Sequence, residues 1–170
     1  IGYQTGTGVM IGLTGQTIDD LAGDLLCFKD MDIDMIGMGP YIVHEDTPLA
    51  AEFPDFAQAK ESQLNLGLKM IAAARLLLKD VNIASTTALQ ALRDDGRELG
   101  LKAGANVVMP NISDVKYRAG YQLYQGKPCM DENREACKGC LQRRIESIGE
   151  TIAFNEWGDP AHFFERTKRE

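Results

Sequence analysis

The sequence predicts an α/β chain built on about four short parallel strands. Three observations lead there. Strand, loop and helix patterns recur in that order three times, and a fourth strand follows them. The strands are short and apolar on both faces, as expected of a sheet covered by helices outside and filled inside. Each crossover is long enough for the helix that parallel pairing requires. Such strands fit an open doubly wound sheet or half of a (β/α)8 barrel. A complete barrel takes about 250 residues, and this chain has 170. Periodicity alone leaves both options open.

The first strand runs from Thr7 to Leu13 into the glycine-rich Gly12-Leu13-Thr14-Gly15. Thr17 then serves as a helix N-cap, with Asp19 and Asp20 in the first turn, where the helix dipole favours negative charge. Ile18, Leu21, Ala22 and Leu25 recur at helical spacing, while Asp19, Asp20 and Asp24 take the wet side. The second strand, Met35 to Met38, precedes Pro40 and a polar loop from Val43 to Pro48. After an acidic stretch comes the longest helix, about Ser62 to Leu78, with Leu64, Leu68, Ile71 and Ala72 on one face. The third strand is Asn82 to Thr87, and its helix runs from Asp94 to Ala103 with Gly104 as C-cap. The fourth strand is Asn106 to Met109, stopped by Pro110. Residues 1–111 thus form the α/β unit and 112–170 a C-terminal extension.

A net charge of -7 and a pI near 4.9 argue against nucleic acid, which needs a clustered basic surface. Asp, Lys or Gly interrupts every apolar run well short of membrane-spanning length. Ile1 to Gly6 has neither the basic nor the apolar region of a signal peptide. It also lacks an initiator Met, so the numbering is expected to begin inside a larger fold. The four cysteines then read as thiols or metal ligands rather than a disulfide framework.

Ligands of parallel α/β folds gather at the carboxyl ends of the strands. That rule nominates Gly12 to Gln16, Pro40 to Thr47, Thr86 to Ala88, and Met109 to Asn111. Glycines at the first place let backbone approach a ligand, although a plain tight turn uses them equally. Thr86 and Thr87 offer hydroxyls suited to a carboxylate or ribose, set against their ordinary β-propensity. Met109 suits a soft apolar wall, or simply a core. His44 and Asp46 could exchange protons but read as a solvated loop. Arg75 reads as a side chain that snorkels or pairs at the base of the sheet, Cys27 as a small buried hydrophobe, and His162 as a residue of a polar tail.

The sharpest local signal is Cys129-x7-Cys137-x2-Cys140. Two thiolates in C-x2-C grip one metal centre, and a third nearby nearly completes a four-ligand site. The spacing does not choose between zinc and an iron–sulfur cluster.

Together these pieces resemble one family. Gly8-Val9-Met10-Ile11-Gly12-Leu13-Thr14-Gly15-Gln16-Thr17 is similar to the G-x-M-x-G-L-P-G-Q-T segment of radical-SAM enzymes of the biotin-synthase and HydE type, with Thr14 in place of proline. Gly39 to Leu49 resembles the following G-P-F-I-P-H-x-D-T-P-L segment, and Ile83 to Ala88 and Gly104 to Asn111 the last two strands. Tyr117-Arg118 and Tyr121 to Lys127 continue the likeness. The cysteine spacing points to HydE-type [FeFe]-hydrogenase maturases, because biotin synthase lacks it.

The resemblance implies the C-terminal half of a radical-SAM, TIM-type (β/α)8 barrel plus an extension with an auxiliary [2Fe-2S] or [4Fe-4S] cluster on Cys129, Cys137 and Cys140. It implies a catalytic [4Fe-4S] cluster and S-adenosylmethionine (SAM) that yield a 5′-deoxyadenosyl radical. The substrate is then a cysteine-derived iron carbonyl cyanide precursor. Gly12, Leu13 and Gly15 would support the adenosyl group; Thr86, Thr87, Ala88, Met109 and Tyr124 would line the substrate pocket. The implied partners are an electron donor and other hydrogenase maturation proteins, in the cytoplasm. The C-x3-C-x2-C ligands of the catalytic cluster are not among these residues, so the chain alone is expected to be inactive. Competing readings are a methylornithine or biotin synthase relative, a non-catalytic iron–sulfur or zinc module, and a lyase with structural zinc.

Overall fold

Strand and helix alternate through the first hundred residues because apolar residues spaced at two give way to apolar residues spaced at three and four. The computed structural model describes residues 2–52, 59–121, 124, 126–128, 130 and 134–168. In order they form β1 (Gly6–Ile11), α1 (Ile18–Asp30), β2 (Met35–Pro40), α2 (Pro48–Glu52), α3 (Lys60–Leu77) and β3 (Asn82–Ala84). Then come α4 (Thr87–Leu92), α5 (Gly96–Ala103), α6 (Val115–Arg118), α7 (Arg134–Ser147) and α8 (Ala161–Thr167), with a 3-10 turn over Ala119–Tyr121. Thr17 caps α1 as expected: its hydroxyl accepts from Asp20 N, and the Asp20 carboxylate accepts from Thr17 N, closing a capping box. Gly104 ends α5 at φ 125°, a backbone state glycine adopts freely.

The sheet corrects the expected fold class. Among the described residues it has three parallel strands in the order β1-β2-β3 and does not close, so half of a TIM-type barrel with about four strands is not what these residues form. The expected fourth strand shrinks to one parallel bridge, Ala84 to Val107. Pairing fails to extend because β3 is only three residues long. Thr86 turns the chain into α4, a helix that replaces the expected strand end at Thr87. A ladder cannot be longer than its shorter partner.

The expectation of a sheet filled on both sides also fails. Side chains alternate, and one face is covered: Ile11, Ile36, Met38 and Ile83 are fully buried beneath Leu21, Leu25 and Phe28 of α1 and Leu64, Ile71 and Ala74 of α3. Each of these side chains larger than alanine contributes about 1.5–3 kcal/mol by leaving water. The opposite face carries Gly6, Gly8 and Met10 of β1 beside Met35, Gly37 and Gly39 of β2. It stays largely open, with Met10 55% exposed, because an unclosed sheet has no facing strands to fill it.

At the amino ends of the strands the chain ties itself down with polar groups. Arg75 reaches there from α3 and donates to the carbonyls of Gly104 (2.8 Å), Lys79 (2.8 Å) and Val81 (2.9 Å), and to Asn106 Oδ1 (3.0 Å). This is the basal pairing expected of it; burial lowers its pKa more than the attraction of Asp80 raises it. Asn82 donates to the carbonyl of Gly158 at 2.6 Å, holding the segment ahead of α8. Beneath β2, Asp34 is completely buried and accepts from Thr5 N (2.8 Å) and from Arg166 of α8 (2.6 Å). His162, read from sequence as featureless, bridges Asp34 (2.9 Å) and Asp32 (3.0 Å).

Candidate functional site

The carboxyl ends of the strands bring two nominated clusters to the rim of the open, glycine-lined face. The first is the turn after β1. Gly12 has φ 78° and Gly15 φ 80°, which a side-chain-bearing residue adopts only at a cost. Gln16 folds back into this turn: its Oε1 accepts from Gly12 N (2.6 Å) and Leu13 N (3.3 Å), and its Nε2 donates to Met10 O (3.2 Å). The Gly12 and Leu13 amides are therefore engaged within the turn. What remains to meet a ligand is the surface at Leu13, Thr14 and Gly15, where a Cβ on Gly15 would find nothing within 4 Å.

Gln63 grips the same turn from α3. Its Nε2 donates to Gly12 O at 3.0 Å across 51 residues of sequence. Sequence reading missed it because a glutamine in a helix's first turn looks like a surface residue, and only tertiary packing brings it to Gly12. There it is 8% exposed.

The second cluster is at the end of β3. Thr86 is the N-cap residue of α4 yet makes no side-chain cap bond. Among the described residues its Oγ1 is shut off from solvent with no hydrogen-bond partner. Such a hydroxyl costs about 1–3 kcal/mol until something bonds to it. Gly39 of β2 makes room for it: a Cβ there would meet Thr86 Oγ1 at 3.2 Å and Ala88 Cβ at 3.5 Å. Tyr124 comes from the far side of the chain and donates from its hydroxyl to Thr87 Oγ1 at 2.6 Å. Thr86, Thr87, Ala88 and Tyr124 thus converge. Met109 lies beyond the Val107 bridge and is 56% exposed, so it is not a core residue.

His44 and Asp46 belong to a local turn in which Asp46 N donates to His44 Nδ1 at 3.2 Å. Cys27 is exposed rather than buried, against the expectation, and its thiol lies 3.7 Å from the Met31 sulfur.

Of the cysteine cluster, Cys129 lies outside the described residues and only the backbone of Cys137 is described. Cys137 and Cys140 are three residues apart along the backbone of α7, about one helical turn. The Cys140 thiol is free and half-buried. Among the described residues no three His, Cys, Asp or Glu side chains gather closely enough to hold a metal ion. Two thiols at this spacing fit iron–sulfur or zinc chemistry.

No family model matches the chain. Over 165 residues, 97% of its length, it is 48% identical to the [FeFe] hydrogenase maturase subunit HydE of Thermotoga maritima. The chain belongs to the HydE family. It spans 45% of the length of that relative, so this HydE-family chain corresponds to about half of the maturase it matches. Both rim clusters and the cysteines of α7 are part of that HydE-type sequence. None of its described helices is long and apolar enough to cross a membrane.

Proposed function

We propose that this chain is part of a radical-SAM enzyme of [FeFe]-hydrogenase H-cluster maturation. In this reading residues 1–111 carry the ligand face and 112–170 an auxiliary iron–sulfur extension. The observation that carries it is the Thr86 hydroxyl, buried and without a partner among the described residues, at the rim of a glycine-lined strand face in a chain of HydE sequence. A buried hydroxyl without a donor or acceptor fits a ligand with a polar end.

When bound, SAM and a [4Fe-4S] cluster held by residues outside this chain supply a 5′-deoxyadenosyl radical. The chain's own residues bind and orient. Gly15, open on its Cα side, and Leu13 offer the adenosyl group a surface. Thr86 Oγ1 donates to the carboxylate of a cysteine-derived iron carbonyl cyanide substrate. Thr87 receives the Tyr124 hydroxyl hydrogen and turns its own hydrogen to the same carboxylate, Ala88 keeping the floor small. Cys137 and Cys140, with Cys129, hold the auxiliary cluster. An electron donor and other hydrogenase maturation proteins are its partners, in the cytoplasm.

The test uses the full natural polypeptide, reconstituted anaerobically with iron and sulfide. Thr86→Val should raise the substrate concentration needed for turnover about 10–100-fold, the worth of one hydrogen bond to a charged group. Substrate-free release of 5′-deoxyadenosine from SAM should be unchanged. Equal kinetics for wild type and the Thr86→Val, Thr87→Val double variant would remove the substrate assignment.

A further inference from the structure

We infer that Gln63 is a positioning residue that fixes the Gly12–Gly15 turn, and through it the surface that turn presents to an adenosyl ligand. The inference rests on the reading above for the ligand, but not for the turn.

Two features make Gln63 more than a helix residue that happens to be buried. The first is steric. A Cβ built on Gly12 would lie 2.0 Å from Gln63 Oε1, 2.7 Å from Cδ and 2.8 Å from Nε2. The carboxamide therefore lies against the Gly12 Cα, occupying the space that any other residue's side chain would take. The second is the bonding pattern. Gln16 takes the amide side of the turn, through Gly12 N and Leu13 N, while Gln63 takes its carbonyl, Gly12 O. The Gly12 peptide groups are thus held from both directions, one local and one from α3, and cannot rotate without breaking one of them.

The energetics favour a specific role. Among the described residues Gln63 Oε1 is buried without a partner. An unsatisfied buried acceptor costs about 1–3 kcal/mol, so an apolar side chain of the same size would suit the packing of α3 at least as well. The bond to Gly12 is the one thing such a side chain cannot supply. Gln63 also carries strain-free helical backbone, whereas the turn it holds has φ 78° and 80° at Gly12 and Gly15. Left without that bond, glycine backbone has many other conformations within reach.

The experiment compares wild type with Gln63→Met and Gln63→Glu in the full natural polypeptide. The Met variant keeps the volume and loses the donor. Amide hydrogen exchange at Gly12 and Leu13, whose N–H groups are bonded within the turn, should speed up about tenfold, the worth of one hydrogen bond, while Leu64 to Ile71 of α3 stay as protected as in wild type. In Gln63→Glu the introduced carboxyl can donate to Gly12 O only when protonated. Its turn protection should match wild type at acid pH and fall at least to that of Gln63→Met once the buried carboxyl ionises. Wild-type protection in the uncharged Gln63→Glu variant, beside lost protection in Gln63→Met, marks the hydrogen bond rather than the packing. Calorimetric titration with S-adenosylhomocysteine, an unreactive adenosyl probe, should show about tenfold weaker binding to Gln63→Met.

Unchanged exchange at the turn in Gln63→Met overturns the inference whatever the ligand does. Faster exchange with unchanged S-adenosylhomocysteine affinity overturns the link to the ligand. If wild type itself fails to bind the probe, the cofactor reading fails, and the exchange result alone then decides whether Gln63 holds the turn.

Discussion

Replacing His162 with glutamine should destabilise the chain in a way that depends on pH. The imidazole joins α8 to two carboxylates, Asp34 at 2.9 Å and Asp32 at 3.0 Å, and Arg166 completes the clamp on Asp34. Asp80, Lys29 and Lys79 also face the cavity beside the ring. Burial lowers the His162 pKa, but the bonds to Asp34 and Asp32 outweigh it, and the net position is above the ordinary 6.5. Its stabilisation is therefore complete below about pH 6.5 and fades as pH rises through the higher folded value. For Asp34, burial raises the pKa, and Arg166, Thr5 N–H and His162 together bring it below the ordinary 3.8. That share is present above about pH 3.8 and lost as pH falls through the lower folded value. Both hold between those limits.

The inner bond to fully buried Asp34 is worth about 1.5–3 kcal/mol as a charge-assisted hydrogen bond. The outer one, to an Asp32 side chain that is 50% exposed, adds about 0–1 kcal/mol. Glutamine keeps one bond to the ionised Asp34 but loses the imidazolium charge and the second carboxylate, so the loss should be about 1–2 kcal/mol at pH 6 and smaller at pH 9. Urea unfolding midpoints of wild type and His162→Gln from pH 5 to 9 measure it. A difference that stays constant over that range would refute a charged His162 between its two carboxylates.

Other outcomes follow from single contacts. Arg97 is 2% exposed, and among the described residues none of its guanidinium nitrogens has a hydrogen-bond partner. Arg97→Met should therefore raise the unfolding free energy by about 1–4 kcal/mol, and a lower urea midpoint would contradict it. Gly12→Ala should cost at least 1–2 kcal/mol from its positive φ, about what a left-handed alanine costs, and more once Gln63 is displaced. Wild-type thermal stability in that variant would show the turn to be slack. Cys140→Ser should lower the iron and acid-labile sulfide bound after reconstitution by about one auxiliary cluster. Unchanged iron, or zinc in its place, would count against an iron–sulfur extension.

Sequence carried the local rules of this chain. The Thr17 cap with its acidic first turn, the Gly104 helix end and part of the apolar stripe of α3 (Leu64 and Ile71 are buried, Leu68 and Ala72 only partly) were legible because each depends on neighbours within a few residues. The motif order from Gly8 to Cys140 was enough to identify the HydE family, which 48% identity bears out. Tertiary structure decided the rest. The sheet closes only if enough strands exist to pair, so motif likeness overestimated its extent, and three residues of β3 could not support a fourth strand. Gln63 and His162 were opaque for a related reason. Each owes its role to groups brought beside it by folding, 51 residues away for Gln63 and 128 for His162, and the burial that makes such contacts matter, like the burial of Arg97, is a property of the packed chain.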